Sequence, residues 1–129
     1  MKIFIATPMS SLTEEEYYEL QELMERISQF SVNEIYAEII NYEKDNYIEP
    51  KEALEQDLRE IDSCDRFILI YPKEVKSSVF LELGYAIAKE KDIVILTKNK
   101  KLLPYLTHDL NIEEYFSIEE LETKIISKT

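Results

Sequence analysis

Between Asp65 and Pro72 the chain reads Arg66-Phe67-Ile68-Leu69-Ile70-Tyr71. This segment limits the fold more than any other. It is short, nearly continuous in apolar residues and leaves no polar face to give to water. A strand of that kind is covered on both sides, as in the interior of a parallel sheet. The segments around it alternate in the same sense. Lys2 to Ala6 reads as a first strand, Glu34 to Ile39 as a second and Asp92 to Thr97 as a fourth, with Glu114 to Phe116 as a short fifth. Between them lie stretches with helical signals. Thr13 to Phe30 opens on a capping box of Thr13 with Glu16, and Ser117 with Glu120 is a second box opening a helix to about Ser127. Pro50 to Asp62 has proline suited to a first turn.

Strands alternating with helices predict an α/β protein. The expected form is three-layered: a flavodoxin- or Rossmann-like open parallel sheet of about five strands, helices on both faces and right-handed connections. At 129 residues the chain is one domain, 1–129, long enough to bury a core. Asn41 to Glu49 is polar and reads as a long loop over the ligand cleft.

The stretch Ser77-Ser78-Val79-Phe80-Leu81-Glu82-Leu83-Gly84-Tyr85-Ala86 holds the only glycine of the chain. Ser77 or Ser78 reads as an N-cap. Val79, Leu83, Ala86 and Ile87 form an apolar stripe at helical spacing, and Glu82 falls on or beside it. An ionised carboxylate there is costly unless paired. Two roles fit: complementing the helix dipole, or facing a cleft as nucleophile or general acid/base. Asp57 poses the same question. Among the apolar positions Leu54, Leu58 and Ile61, it also falls on the inward face of its helix. Asp is seldom buried without a partner. Asp57 and Glu82 are the two carboxylates that periodicity does not place in water, on helices flanking one strand, which suggests a shared site.

Composition excludes several classes. Formal net charge is −12, from 27 acidic and 15 basic residues, which argues against nucleic acid or an anionic membrane as partner. No apolar run is long enough to span a membrane and no signal peptide is evident, so a cytoplasmic protein is expected. The single Cys64 fits a reducing compartment and reads as a small buried hydrophobe. There is no Cys/His cluster for zinc, and His108 has no recognisable partner set, so neither a metal nor a cofactor is expected.

Open parallel sheets bind ligands beyond the carboxyl ends of their strands. Two loops meet that condition, Thr7-Pro8-Met9-Ser10-Ser11 and Pro72 to Ser78. Neither has glycine, so neither is a Walker or dinucleotide fingerprint. Thr7, Ser10, Ser77 and Ser78 offer hydroxyl and backbone donors to a ribose or phosphate. Lys73 and Lys76 beside a helix N-terminus form a local patch for an anion.

The ordered set Glu55-Gln56-Asp57-Leu58, Asp65, an apolar strand, Ser77 or Ser78, and Glu82-Leu83-Gly84-Tyr85-Ala86 resembles the nucleoside 2-deoxyribosyltransferase superfamily, which includes the deoxynucleoside 5′-monophosphate N-glycosidases. Lys2-Ile3-Phe4-Ile5-Ala6-Thr7-Pro8-Met9 resembles its first strand and nucleotide-facing loop. The resemblance covers most of the first hundred residues. It implies that Glu82 attacks the anomeric carbon and that Asp57 assists at the base or positions Glu82. It also implies that Thr7, Pro8, Met9, Ser10, Ser77 and Ser78 meet the nucleotide, with Asp65 a family acid of structural or binding role. Relatives of this kind are commonly dimers or larger, so a homodimer at least is expected, packed through the first helix or the helix after Ser78, with Tyr17, Tyr18 and Tyr85 as exposed aromatic surface. The chain departs from the pattern in two places. The loop after the first strand lacks the family's usual glycine. Lys76 stands where some transferases carry aspartate, which favours a phosphorylated ligand over a bare nucleoside. Expected ligands are thus a small-molecule nucleoside or nucleotide. Two alternatives share the motifs: a TIR-like NAD glycohydrolase, resembling Ser77 to Leu83, and a non-catalytic nucleotide-binding domain on the same fold.

Overall fold

The computed structural model describes residues 1–10, 12–41, 49–75 and 77–129. Ser11, Lys76 and residues 42–48 lie outside the described residues, and with them the expected anion site at Lys76 and most of the expected loop over the cleft. The elements are β1 Lys2–Ala6, α1 Glu14–Phe30, β2 Glu34–Ala37, α2 Glu38–Asn41, α3 Pro50–Ser63, β3 Arg66–Tyr71, α4 Val79–Ala88, β4 Asp92–Thr97, β5 Asn111–Glu114 and α5 Ile118–Lys128. Two short 3-10 turns, Lys100–Leu102 and Tyr105–Thr107, bridge β4 to β5.

The five strands are all parallel in the order β2-β1-β3-β4-β5. The chain winds one way from β1 to β2 and the other way from β3 onward. The switch point therefore falls between β1 and β3, where an open sheet leaves a crevice at its carboxyl end.

Alternation along each strand divides the core in two. Ile3, Ile5, Ile68, Ile70, Val94 and Leu96 face one way and bury against Leu20, Leu23, Met24 and Ile27 of α1 and Leu121 and Ile125 of α5. Phe4, Ala6, Phe67, Leu69, Tyr71 and Ile95 face the other way, against Ile61, Val79, Leu83 and Ala86 on α3 and α4. Phe4 stacks on Tyr36 at 5.3 Å and on Phe67 at 5.4 Å, a row of rings across β2, β1 and β3. Such offset pairs add about 0.5–1.5 kcal/mol to their burial. The doubly apolar β3 thus serves both layers, which is why it reads as an uninterrupted hydrophobic run.

The helix ends follow their caps. Thr13 Oγ1 accepts from Glu16 N at 3.1 Å while Glu16 Oε1 accepts from Thr13 N at 2.9 Å, completing the first capping box. At the second, Ser117 Oγ accepts from Glu120 N at 3.1 Å. Cys64 is buried, and burial raises its thiol pKa. Among the described residues no helix is long and apolar enough to cross a membrane.

Four details depart from the sequence expectations. β2 ends at Ala37, and Glu38 to Asn41 turn into a short helix rather than extending the strand to Ile39. Ala37 is the last residue registered on β1, opposite Ile5, and Asn41 Nδ2 donates to its carbonyl at 3.3 Å to close the turn. β5 lies at 111–114, not 114–116. Tyr115 drops into the core just beyond it, and Phe116 is exposed. On α3, Leu54 is 45% exposed, and on α4, Ile87 is equally so. Each is therefore an outer edge position of its helix and no part of the packed stripe. Of the three tyrosines expected at the surface, Tyr18 alone is well exposed. Tyr17 is half-buried, and the Tyr85 hydroxyl donates to Asp62 at 2.8 Å with Lys89 over its ring.

Candidate active site

The loops after β1 and β3 and the start of α2 converge at the carboxyl end of the sheet. They enclose a cleft of about 410 Å³ lined by Thr7, Met9, Ser10, Tyr17, Glu38, Ser77, Ser78 and Val79. Thr7 is buried in its wall, Met9 leans on the α1 side of the core, and Ser10 is exposed at the rim. Pro8 is buried under the loop and is not part of the lining.

The β3–α4 loop is held from inside. The buried Tyr71 at the end of β3 uses its hydroxyl twice on Val75, accepting from the amide at 3.1 Å and donating to the carbonyl at 3.2 Å. Ser78 occupies the N-cap position of α4 by backbone, but the hydroxyl that caps is that of Ser77, which accepts from Val79 N at 3.3 Å. The Ser78 hydroxyl makes no cap bond, so it remains available at the cleft wall.

Glu82 sits in the first turn of α4, only 3% exposed. Its helical position aims it across the sheet edge toward two other acids. One oxygen each from Glu38, Asp57 and Glu82 lie within 4.8 Å of one another, drawn from α2, α3 and α4. Glu82 Oε2 and Glu38 Oε1 are closed off from solvent and have no hydrogen-bond partner among the described residues. The two carboxyls are close enough that a proton on one of them would relieve their repulsion.

The charge balance favours that proton. Two full charges about 5 Å apart repel by roughly 3 kcal/mol at an effective dielectric near 20, before any desolvation cost. Burial pushes the Glu38 carboxyl well above the ordinary carboxylate range, and neighbouring Glu82 and Asp57 push it further. Burial also raises Glu82, but neighbouring Glu38 acts in the opposite sense. Both carboxyls are thus raised, with burial the largest cause for each, and Glu38 is also pushed up by the two acids beside it. The same three oxygens are the grouping among the described residues that is close enough to share a cation.

Of the residues singled out by sequence, the structure brings Glu82 and Asp57 together, and Thr7, Met9, Ser10, Ser77 and Ser78 around the adjoining cleft. Two others are elsewhere. Asp65 lies at the amino end of β3, at the opposite edge of the sheet. Its carboxylate accepts from Lys2 N at 2.8 Å and its amide donates to Lys2 O at 2.7 Å, so it ties the starts of β1 and β3 together. Lys73 is engaged by Glu16 at 2.7 Å, so it serves the α1 cap and not an anion. Glu38 was hidden from sequence reasoning inside an expected strand. A signal was present: it is a lone acid in the apolar run Ile35-Tyr36-Ala37-Glu38-Ile39-Ile40.

The architecture matches solved structures along nearly its whole length. The Clostridium botulinum CMP N-glycosidase BcmB aligns over 100% of both chains with a TM-score of 0.74 and 19% sequence identity. BlsM aligns over 98% of this chain and 87% of its own, with a TM-score of 0.75 and 21% identity. A 2-deoxyribosyltransferase from Bacillus psychrosaccharolyticus aligns over 95% and 90%, with a TM-score of 0.68 and 14% identity. No protein-family model matches the chain, and no curated protein sequence matches it significantly. The chain thus shares the three-layer α/β fold of these proteins.

Proposed function

We propose that this protein breaks the N-glycosidic bond of a (deoxy)nucleoside or nucleoside monophosphate, with Glu82 as nucleophile. The observation that carries the reading is the buried Glu82 carboxylate, grouped with Glu38 and Asp57 at the edge of a nucleotide-sized cleft. Glu82 would attack C1′, the C1′–N bond would break, and its electron pair would leave with the base. Water, or a second base, would then resolve the glycosyl ester and restore the carboxylate. Retaining glycosidases hold their two carboxyls about 5–5.5 Å apart for this covalent route, whereas inverting ones leave room for a water. The close grouping of Glu38, Asp57 and Glu82 suits the first geometry. The solved proteins of like fold, described as a CMP N-glycosidase and 2-deoxyribosyltransferases, support the bond class.

Thr7, Ser10, Ser77 and Ser78 would meet the sugar or a phosphate, and Asp57 would help hold Glu82 in line. No step needs a metal or a redox cofactor. A homodimer or larger belongs to the same proposal. Tyr18 on α1 is 53% exposed and Leu81 on α4 is 68% exposed, leaving apolar surface on the two helices expected to pack. Light scattering well above the 15.3 kDa of one chain would support it.

The test is release of free base. Purified protein is incubated with dCMP, dGMP, CMP, deoxycytidine and NAD, with and without EDTA, and products are separated by chromatography. Base should appear from at least one nucleoside or nucleotide, unchanged by EDTA, and Glu82→Ala should lower the rate at least about a thousandfold. Turnover of NAD alone, or a Glu82→Ala rate near wild type, would overturn the reading.

A further inference from the structure

Glu38 has no place in the scheme drawn from the motifs, yet it occupies the most consequential position in the cleft. Glu82 is 3% exposed and does not line the open volume, whereas Glu38 does. Glu38 therefore stands between the buried nucleophile and the ligand space. It reaches that position because β2 stops at Ala37 and the chain turns into α2. The titratable groups facing it among the described residues are Glu82 from α4, Asp57 from α3 and Tyr17 from α1, while β1 leads into the neutral Thr7. No basic side chain lies among the described residues of the lining, and a proton on Glu38 would relieve the repulsion within the group.

We infer that Glu38 is the general acid of the proposed reaction: it delivers its proton to the departing base and afterwards takes one from the water that attacks the sugar. This rests on the glycosidic reading above. The balance closes over one cycle. Glu82 bonds to C1′ as the C1′–N bond breaks, and the Glu38 proton goes to the base nitrogen. Water then adds at C1′, its proton returns to Glu38, and Glu82 leaves as carboxylate. Resting and final enzyme have the same charge, and the Glu38 proton is the one spent and recovered. Asp57 is partly exposed and does not line the open volume, which leaves it to position the pair.

The experiment compares leaving groups. dGMP needs a proton on its base to depart, whereas N7-methyl-dGMP carries a cationic base that departs without one. Both are tested with wild type, Glu38→Gln and Glu82→Gln, and with Glu38→Asp as a second variant should the first fold poorly. Circular dichroism checks the fold. Glu38→Gln should lose about a hundredfold or more in kcat on dGMP, lose less than about tenfold on N7-methyl-dGMP, and lose the basic limb of its pH–rate profile. Glu38→Asp should keep that limb. Glu82→Gln should lose both substrates. Equal losses on both substrates in a folded Glu38→Gln, or no loss on dGMP, would overturn the role of Glu38 and leave the glycosidic reading intact. Wild type inert toward both and toward every nucleoside and nucleotide of the base-release assay would overturn the two together.

Discussion

The hydroxyl of Tyr71 closes a two-bond ring with the backbone of Val75, four residues ahead of it. β3 thereby does more than fill the core: its last side chain fixes the loop that presents Ser77, Ser78 and the first turn of α4. Tyr71→Phe keeps the ring in its pocket and removes both bonds. The Val75 amide and carbonyl lose their partner, which costs about 1–3 kcal/mol. Activity should fall further than stability suggests, by roughly ten- to a hundredfold, because the hydroxyls at the cleft are no longer held in register. Denaturant unfolding paired with single-turnover rates measures both. Unchanged rates in a destabilised variant would mean the loop is positioned by other contacts.

The Glu38–Glu82 pair makes a stability statement with a definite sign. A carboxyl whose folded pKa is raised adds stability only while it keeps its proton. That contribution is complete below the ordinary value of 4.5 and is lost as pH rises through the raised folded value. The wild-type protein should therefore be penalised at neutral and alkaline pH. Glu38→Gln and Glu82→Gln remove the ionisable group with little change of shape. Each should melt above wild type at pH 8, with the gap narrowing toward pH 5. Calorimetry across that range decides it, and a gap that widens on acidification would contradict raised carboxyls at this pair.

Where local chemistry settles an element, the sequence reveals it. The capping box at Thr13, the apolar run of β3 and the stripe Val79, Leu83, Ala86 all appear in the structure. Asp57 and Glu82 were visible because helical periodicity has a wrong face on which a carboxylate stands out. Glu38 escaped because its helix is a tertiary decision, made where β2 runs out of β1 to pair with. Applying the same test to strand residues, an acid inside an apolar run, would have flagged it. β5 was misplaced because Asn111, Glu113 and Glu114 give an edge strand no apolar signature. Lys73 looked like an anion site because its pairing with Glu16 spans 57 positions and no local pattern carries it.

That same pairing predicts an acid limb. Glu16 caps α1 through Thr13 and also binds Lys73, and these bonds hold its carboxyl down to about 2. A lowered carboxyl contributes stability that is present above the ordinary 4.5 and is lost as pH falls toward 2. Glu16→Gln should cost about 0.5–2 kcal/mol near pH 7, chiefly through the cap. The ion pair adds little, since both side chains are about a third exposed. The difference between variant and wild type should shrink as pH drops through 4 to 3. A deficit independent of pH would place the effect in helix propensity alone.

Gly84 gives the last prediction, because the structure removes the usual reasons for a glycine. It lies inside α4 with no positive φ, and a Cβ built on it meets nothing within 4 Å. In an isolated chain, Gly84→Ala should then stabilise the helix by roughly 0.5–1 kcal/mol, a rise of a few degrees in melting temperature. The residue sits on the exposed side of the helix, three positions from the 68% exposed Leu81. If the proposed dimer packs through this face, the added methyl would meet a second copy. The variant would then be less stable at high protein concentration while gaining stability at low. Melting curves over a hundredfold range of concentration separate the cases. A uniform rise frees this face of α4 from the assembly, and a concentration-dependent fall assigns the glycine to it.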